Sequence, residues 1–447
     1  MRSLVTAIVV GLVLVGVYGT PGAADLESKV VIVTSFPKDL TNAFKNAFEK
    51  KNPGVTVEVL NKNTSAAVKY LQETARNNTS DLMWASAPDA FEVLKKDRLL
   101  MAYTPKQKGL PAKVGAFPVN DPDGYYMGFA ASGYGLMYNT RYLAAKGLPV
   151  PKEWSDLTQA VYYGHVGMSA PSRSGTTHLT VETILQGEGW EKGWATNKLM
   201  AGNYKIVTER SFGVPDGVNS GDFGIGIVID FFGYSSAAVG FPVEFVYPTV
   251  TTLVPANIAI VSNAPHPKAA AAFVEYLLSV EGQEILLDPK IMRLPINPAT
   301  YAKAPKGLPN PFTDSSIGAA VRFDVGISGA RYNLVNSLFD QTITFRHNDL
   351  KAAMGAIHRA EAALAGKSNA QAARLIAQAR AKLTAMPVTE AQAADPDFAA
   401  IFEKKRRKPT DVVPQRQAQV EEQWDAFAKA NYAEAKALAE RALGMLR

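Results

Sequence analysis

The sequence predicts an α/β protein of two lobes joined by a crossing strand, with an all-helical extension behind them. Three observations carry this expectation. From residue 29 onward, short apolar runs alternate with amphipathic stretches of helical period. Residues 126–138 (YMGFAASGYGLMY) form a long, apolar, glycine-bearing run that suits a strand leaving one sheet for another. Beyond about residue 310 the strand signal almost disappears and only helical spacing remains.

The elements follow in order. Residues 29–33 read as a buried strand, and 37–51 as a helix with Leu40, Phe44 and Phe48 on one face. Residues 56–60 alternate as a strand, 66–75 are helical, 81–85 form a buried-type strand, and 88–96 a helix. Repeats of this length argue a parallel sheet with helices on its faces. After the crossing run, a second α/β region spans about 154–247. A strand at 252–261, a helix at 267–280 and the turn Pro295-Ile296-Asn297-Pro298 close this part of the chain. The expected division is therefore lobe 1 from 29–135 with 250–305, lobe 2 from 136–249, and a helical extension over 310–447. In that extension Leu350, Met354, Ile357, Ala360 and Leu364 recur at helical spacing, as do Leu375, Ala379 and Leu383. Val420, Trp424 and Phe427 mark a further helix, so the extension packs on the rest or meets a partner.

Residues 1–24 read differently. Arg2, an apolar run over 4–18 and the small residues Ala23 and Ala24 before Asp25 have the pattern of a cleaved secretory signal peptide. About 15 apolar residues are short for a membrane span, which needs about 20. The expected location is the periplasm. The chain holds no cysteine, which removes disulfides, thiol nucleophiles, thiolate metal sites and a lipidated cysteine anchor together. A net charge of +6 over 447 residues is modest, and no basic-aromatic module accompanies it, so nucleic acid is not an expected partner. The basic run at 404–408 reads as a solvated linker.

Candidate chemistry gathers at strand-to-helix junctions. Thr34 and Ser35 follow the first strand, with Ser35 expected as helix cap and Pro37 near the first turn. Asn63, Thr64 and Ser65 precede the second helix, and Ser86-Ala87-Pro88-Asp89 follows the third strand. In the second lobe the loop Ser172, Arg173, Ser174, Gly175, Thr176, Thr177, His178 leads into a helix. Such junctions lie at the carboxyl edge of a parallel sheet, where open α/β sheets bind ligands. Helix starts present unpaired N–H groups and partial positive charge, which suit an anion, and Arg173 adds a forked cationic contact. Any one junction is ordinarily just a cap; the case rests on several converging. Asp230 sits at a strand end, and Tyr134 and Tyr247 are candidate cleft residues, although aromatics more often fill cores. Gly224-Ile225-Gly226 lacks the rest of a dinucleotide fingerprint, and the other histidines show no zinc spacing. No cofactor and no metal are expected. No nucleophile elbow or matched carboxylate pair stands out, which weakens an enzymatic reading.

At this point the residues resemble a known family. VVIVTSF, DLMWASAPDAFEVL, GYGLMYNTRYL, EWSDLTQAVYYGHVGMSAPSRSGTTH, GDFGIGIVID and AFVEYLLSVEGQEILL with its LPINP turn occur in order over about 29–305. Together they resemble the type II periplasmic solute-binding proteins of ABC transporters, in the group handling ferric iron, phosphonates and phosphorylated metabolites. The resemblance implies two lobes closing on a ligand, a transporter permease as partner, and contacts near Thr34, Ser35, Ser86, the 172–178 loop and Asp230. Iron-binding members carry adjacent tyrosines where this chain has Phe231-Phe232-Gly233-Tyr234, so the resemblance disfavours ferric iron. LNKNTSAAVKYL and the helical extension are similar to a subgroup with extra length beyond the binding core. That likeness implies a small phosphorylated or phosphonate acid as solute, and a membrane sensor as a further partner.

Overall fold

The computed structural model describes residues 26–447 apart from 116, 315, 316, 318–320, 403–405 and 407. The expected export segment 1–24 and much of the basic run at 404–408 lie outside the described residues. Among the described residues no helix is long and apolar enough to cross a membrane.

Val30 to Val33 carry β-branched side chains to both faces of a fully covered strand, which is the pattern of a parallel sheet core. The strand Lys29–Thr34 pairs in parallel with Thr56–Asn61 on one side and Leu82–Ala85 on the other. Helices Lys38–Lys51, Thr64–Thr74 and Pro88–Lys96 follow these three strands in turn. Leu40, Phe44 and Phe48 are buried as their spacing predicts, against Trp84, Phe273 and Tyr276.

The run at 126–138 is a single strand, Met127–Asn139, buried throughout. Its first half pairs antiparallel with Leu253–Val261, from Met127↔Ile258 to Gly133↔Leu253. Its second half, Tyr134 to Tyr138, pairs antiparallel with Ile225–Ile229. That strand runs parallel to Val166–Ser169, which runs parallel to Tyr204–Thr208. One strand thus carries the backbone from the sheet of the first lobe into the sheet of the second. Leu253–Val261 brings it back.

The extension is helical and shares a core with the second lobe. Helices His347–Leu364, Ala370–Thr384 and Gln415–Gly444 bury Met354, Ile357, Leu383 and Tyr432 in one cluster with Trp154, Trp190 and Trp194. Polar ties reinforce it: Trp190 Nε1 donates to the Val388 carbonyl at 2.9 Å, and His358 Nε2 lies 2.8 Å from Asn203 Oδ1. Of the two roles open to the extension, packing on the rest of the protein is realised.

Candidate functional site

Two helix starts face each other across the seam between the lobes. Thr64–Thr74 begins in lobe 1, capped by Asn63, whose Oδ1 accepts the Ala66 N–H at 2.8 Å. Gly175–Glu188 begins in lobe 2, capped by Ser174, whose Oγ accepts the Thr177 N–H at 3.2 Å. The approach is so close that a methyl group on Gly175 would lie 2.7 Å from Ala87 Cβ and 2.9 Å from Thr64 Oγ1. Only glycine permits this contact. Two partial positive charges meet there, an arrangement that an anion relieves.

Three arginines reinforce that field around a small cavity of about 20 Å³. Arg293 is fully buried, with its guanidinium 3.8 Å from the Phe231 ring centre and 4.4 Å from that of Phe36. Its Nη2 donates to Ser86 Oγ at 3.1 Å. Burial lowers its pKa to about 9, with Asp230 opposing, so it remains charged at neutral pH. The neighbouring Met292 holds a left-handed backbone (φ 46°), uncommon for a long side chain, and this strained turn delivers Arg293 into the seam. Arg173 and Arg210 stand at the lobe 2 side, Arg173 Nη1 pairing with Glu209 at 2.6 Å. Arg210 reaches across to Asn61 of lobe 1 at 3.4 Å and lies over Phe212. Burial also lowers the pKa of Arg210.

Asp230 supplies the counter-charge below. Its carboxylate accepts N–H groups of Gly133 at 2.6 Å and Phe231 at 2.7 Å, and the Tyr247 hydroxyl at 2.9 Å. Burial raises its pKa to about 6 against those bonds and the Arg293 charge. The balance at the cavity is cationic.

A two-lobed α/β fold with a crossing strand and a cationic seam is the frame of a solute receptor. The family model for bacterial extracellular solute-binding proteins matches residues 77–315. The chain belongs to this family. Among curated relatives, the phosphoglycerate transport regulatory protein PgtC of Salmonella typhimurium is 33% identical over 384 residues, covering 84% of this chain and 90% of the relative. Among solved structures, the periplasmic binding protein AfuA from Actinobacillus pleuropneumoniae, with exogenous fructose-6-phosphate bound, has a TM-score of 0.63 at 22% identity. The match covers 70% of this chain and 98% of AfuA. The periplasmic binding protein P5PA has a TM-score of 0.62 at 20% identity, covering 71% of this chain and all of that one (100%). At these identities the two structures establish the fold of this solute-binding protein, which is that of binding proteins.

Of the residues singled out from the sequence, Ser35, Thr64, Ser86, Arg173, Ser174 and Thr176 line the seam cavity. The others do not line it. Thr34 Oγ1 accepts the Phe36 N–H at 3.1 Å, and Ser65 Oγ lies 3.4 Å from the Tyr332 hydroxyl. Ser172 is buried between the seam and the extension, its hydroxyl without a hydrogen bond among the described residues, and Thr177 Oγ1 bonds Ser169 Oγ. Tyr134 is fully buried in the crossing strand, while Tyr247 holds Asp230. His178 is fully buried, its ring nitrogens directed at Asn336, Ser328 and Asp89. Ser35 is also not the helix cap: Pro37 occupies that position without a side-chain bond, which leaves the Ser35 hydroxyl for Thr64 at 3.2 Å.

Sequence reasoning missed Arg293 and Arg210; it named Asn63 and Phe36 only as junction residues, and did not expect Phe36, Phe231 and Phe232 to wall the cavity. Arg293 carried one legible signal: a single arginine inside the otherwise apolar segment IMRLPI. A charged side chain in a buried-type run must have a partner or a ligand.

Proposed function

We propose that this protein is the exported receptor of an ABC-type importer and captures a small phosphorylated or phosphonate acid between its lobes. The observation that carries this reading is the meeting of two helix starts with Arg173, Arg210 and Arg293 at one seam. Fixed N–H groups and forked guanidinium ions match phosphate oxygens in geometry as well as charge. The likeness to a phosphoglycerate transport regulatory protein over most of the chain supports the same solute class. In this reading 29–135 with 250–305 forms lobe 1 and 136–249 forms lobe 2. The lobes part to admit the solute and close on it because the closed form makes the better contacts. The permease recognises the closed form, no covalent chemistry occurs, and residues 1–24 direct export.

Calorimetric titration against 3-phosphoglycerate, fructose-6-phosphate, 2-aminoethylphosphonate, ferric citrate and a neutral sugar tests the reading. Binding of one phosphorylated or phosphonate acid is expected. Tight binding of the neutral sugar with no response to any anion would sink it. Ferric citrate stands as the second arm, although Phe231 and Phe232 bring phenyl rings to the cavity wall and no metal-ligating oxygen. Turnover of a generic phosphate ester, abolished by Asp230→Asn, would instead favour a hydrolase.

A second reading is regulatory: the receptor reports occupancy to a membrane sensor through its extension. The extension's contacts with both lobes favour it.

A further inference from the structure

The bulk of the extension is fixed to lobe 2 by a shared apolar core. Helix Val325–Ala330 is tied there too at its start, where Gln186 of lobe 2 accepts the Asp324 N–H at 2.7 Å and donates to the Asp324 carbonyl at 3.1 Å. The helix itself nevertheless packs on lobe 1. Helix Val325–Ala330 packs on Pro88–Lys96 so closely that a methyl group on Gly329 would sit 3.3 Å from Glu92 Cβ. The next helix, Tyr332–Phe339, packs on lobe 2. Between the two helices Arg331 forms a forked ion pair with Glu182 of lobe 2, at 2.9 and 2.8 Å.

One buried polar junction joins all three parts. Ser328 Oγ, from the extension, donates to Asp89 Oδ2 of lobe 1 at 2.8 Å and lies 3.2 Å from His178 Nε2 of lobe 2. His178 Nε2 is also 3.2 Å from Asp89 Oδ2, and its Nδ1 is 2.8 Å from Asn336 Oδ1. The His178 ring packs 4.2 Å from that of Tyr332, whose hydroxyl reaches Ser65 of lobe 1. Asp89 and His178 are each fully buried, so losing a partner there carries the full desolvation penalty of a polar group.

The seam cavity of about 20 Å³ has room for about one water, so a solute enters only when the lobes part. Asp89 and Ser65 then travel with lobe 1, while His178 travels with lobe 2. Ser328 bridges both and can follow only one of them.

We propose that helix Val325–Ala330 is a closure latch: it bridges lobe 1 and lobe 2 through Asp89, Ser328 and His178 when the cleft is shut, and is released when it opens. His178 acts as a positioning residue for closure. The inference rests on the reading that solute is admitted between the lobes, but its test requires no solute.

The chain has no cysteine, and the 3.3 Å separation at positions 92 and 329 is near the Cβ–Cβ distance of about 3.5–4.5 Å in disulfides. The experiment is hydrogen–deuterium exchange on the full-length Glu92→Cys, Gly329→Cys protein, without solute. Oxidation is expected to slow exchange of the helix-start amides at 63–66 and 174–177 about tenfold, and dithiothreitol to restore it. Ser328→Ala, which removes the extension's part of the bridge and leaves only the direct Asp89–His178 contact, is expected to speed exchange of the same amides about fivefold. Equal rates in the oxidised and reduced protein, with the bond verified by mass, overturn the proposal. So does failure of the bond to form in the folded protein, or unchanged exchange in Ser328→Ala. A protein that binds none of the anions named above still gives this exchange result, so the two readings fail separately.

Discussion

Gly175→Ala isolates lobe closure from the rest of the molecule. The new methyl carbon would lie 2.7 Å from Ala87 Cβ and 2.9 Å from Thr64 Cγ2 and Oγ1. Carbon atoms in ordinary contact sit at about 3.5–4.0 Å, so the seam must widen by about 1 Å. Ala87 Cβ is fixed by its backbone and cannot rotate away. Overpacking of this kind costs roughly 1–3 kcal/mol, and the cost falls on the closed form alone. At 1.4 kcal/mol per tenfold, affinity for the solute drops about 5- to 150-fold. The open form is spared, because alanine is the better helix former. Isothermal titration with 3-phosphoglycerate reads the affinity, and a thermal melt without solute reads the fold. An affinity within about twofold of the parent protein, with an unchanged melt, would refute the idea that this contact is made on closure.

Arg293→Met removes the buried guanidinium between Phe36 and Phe231; the loss of a desolvated charge contact, roughly 2 kcal/mol or more, predicts at least about a 30-fold fall in 3-phosphoglycerate affinity by the same titration. Lys198 is buried at the junction of lobe 2 and the extension, with Nζ 2.6 Å from the Ala385 carbonyl, and burial lowers its pKa to about 7. The unfolded chain therefore binds the extra proton between about pH 7 and 10.5, so stability rises with pH across that window. Chemical denaturation at pH 7 and pH 10 should show this rise, and Lys198→Met should remove it. Met354→Ala opens a cavity where the extension packs on Gly202 of lobe 2, and should cost about 2–5 kcal/mol in the same assay. Truncation after residue 310 exposes the apolar face of lobe 2, and light scattering should report aggregation rather than a soluble two-lobed core.

The alternation of strands and helices was legible because it rests on local spacing. Leu40, Phe44 and Phe48 are buried as their period requires, and the run at 126–138 does cross between the two sheets. Junction chemistry was legible in part: Ser174 caps its helix, and Thr64, Ser86 and Arg173 face the seam. What failed was the direction of side chains whose neighbours are distant in sequence. His178 belongs to a stretch that reads as a ligand-cradling loop, yet it lies in the first turns of helix Gly175–Glu188, and residues 328 and 336 cover it from the extension. Arg293 is more than a hundred residues from Arg173, and a left-handed Met292 is needed to turn it into the same cavity.

By itself, then, the sequence determined the periodic elements, the crossing strand, the helical character of the extension and the chemical types gathered at the junctions, since each depends on residues a few positions apart. Tertiary structure decided which groups share the seam: three arginines and two helix starts meet there, while Asp89, His178 and Ser328 meet in a buried junction of their own. Those placements are set by the packing of two sheets and an extension against one another. No local spacing encodes them.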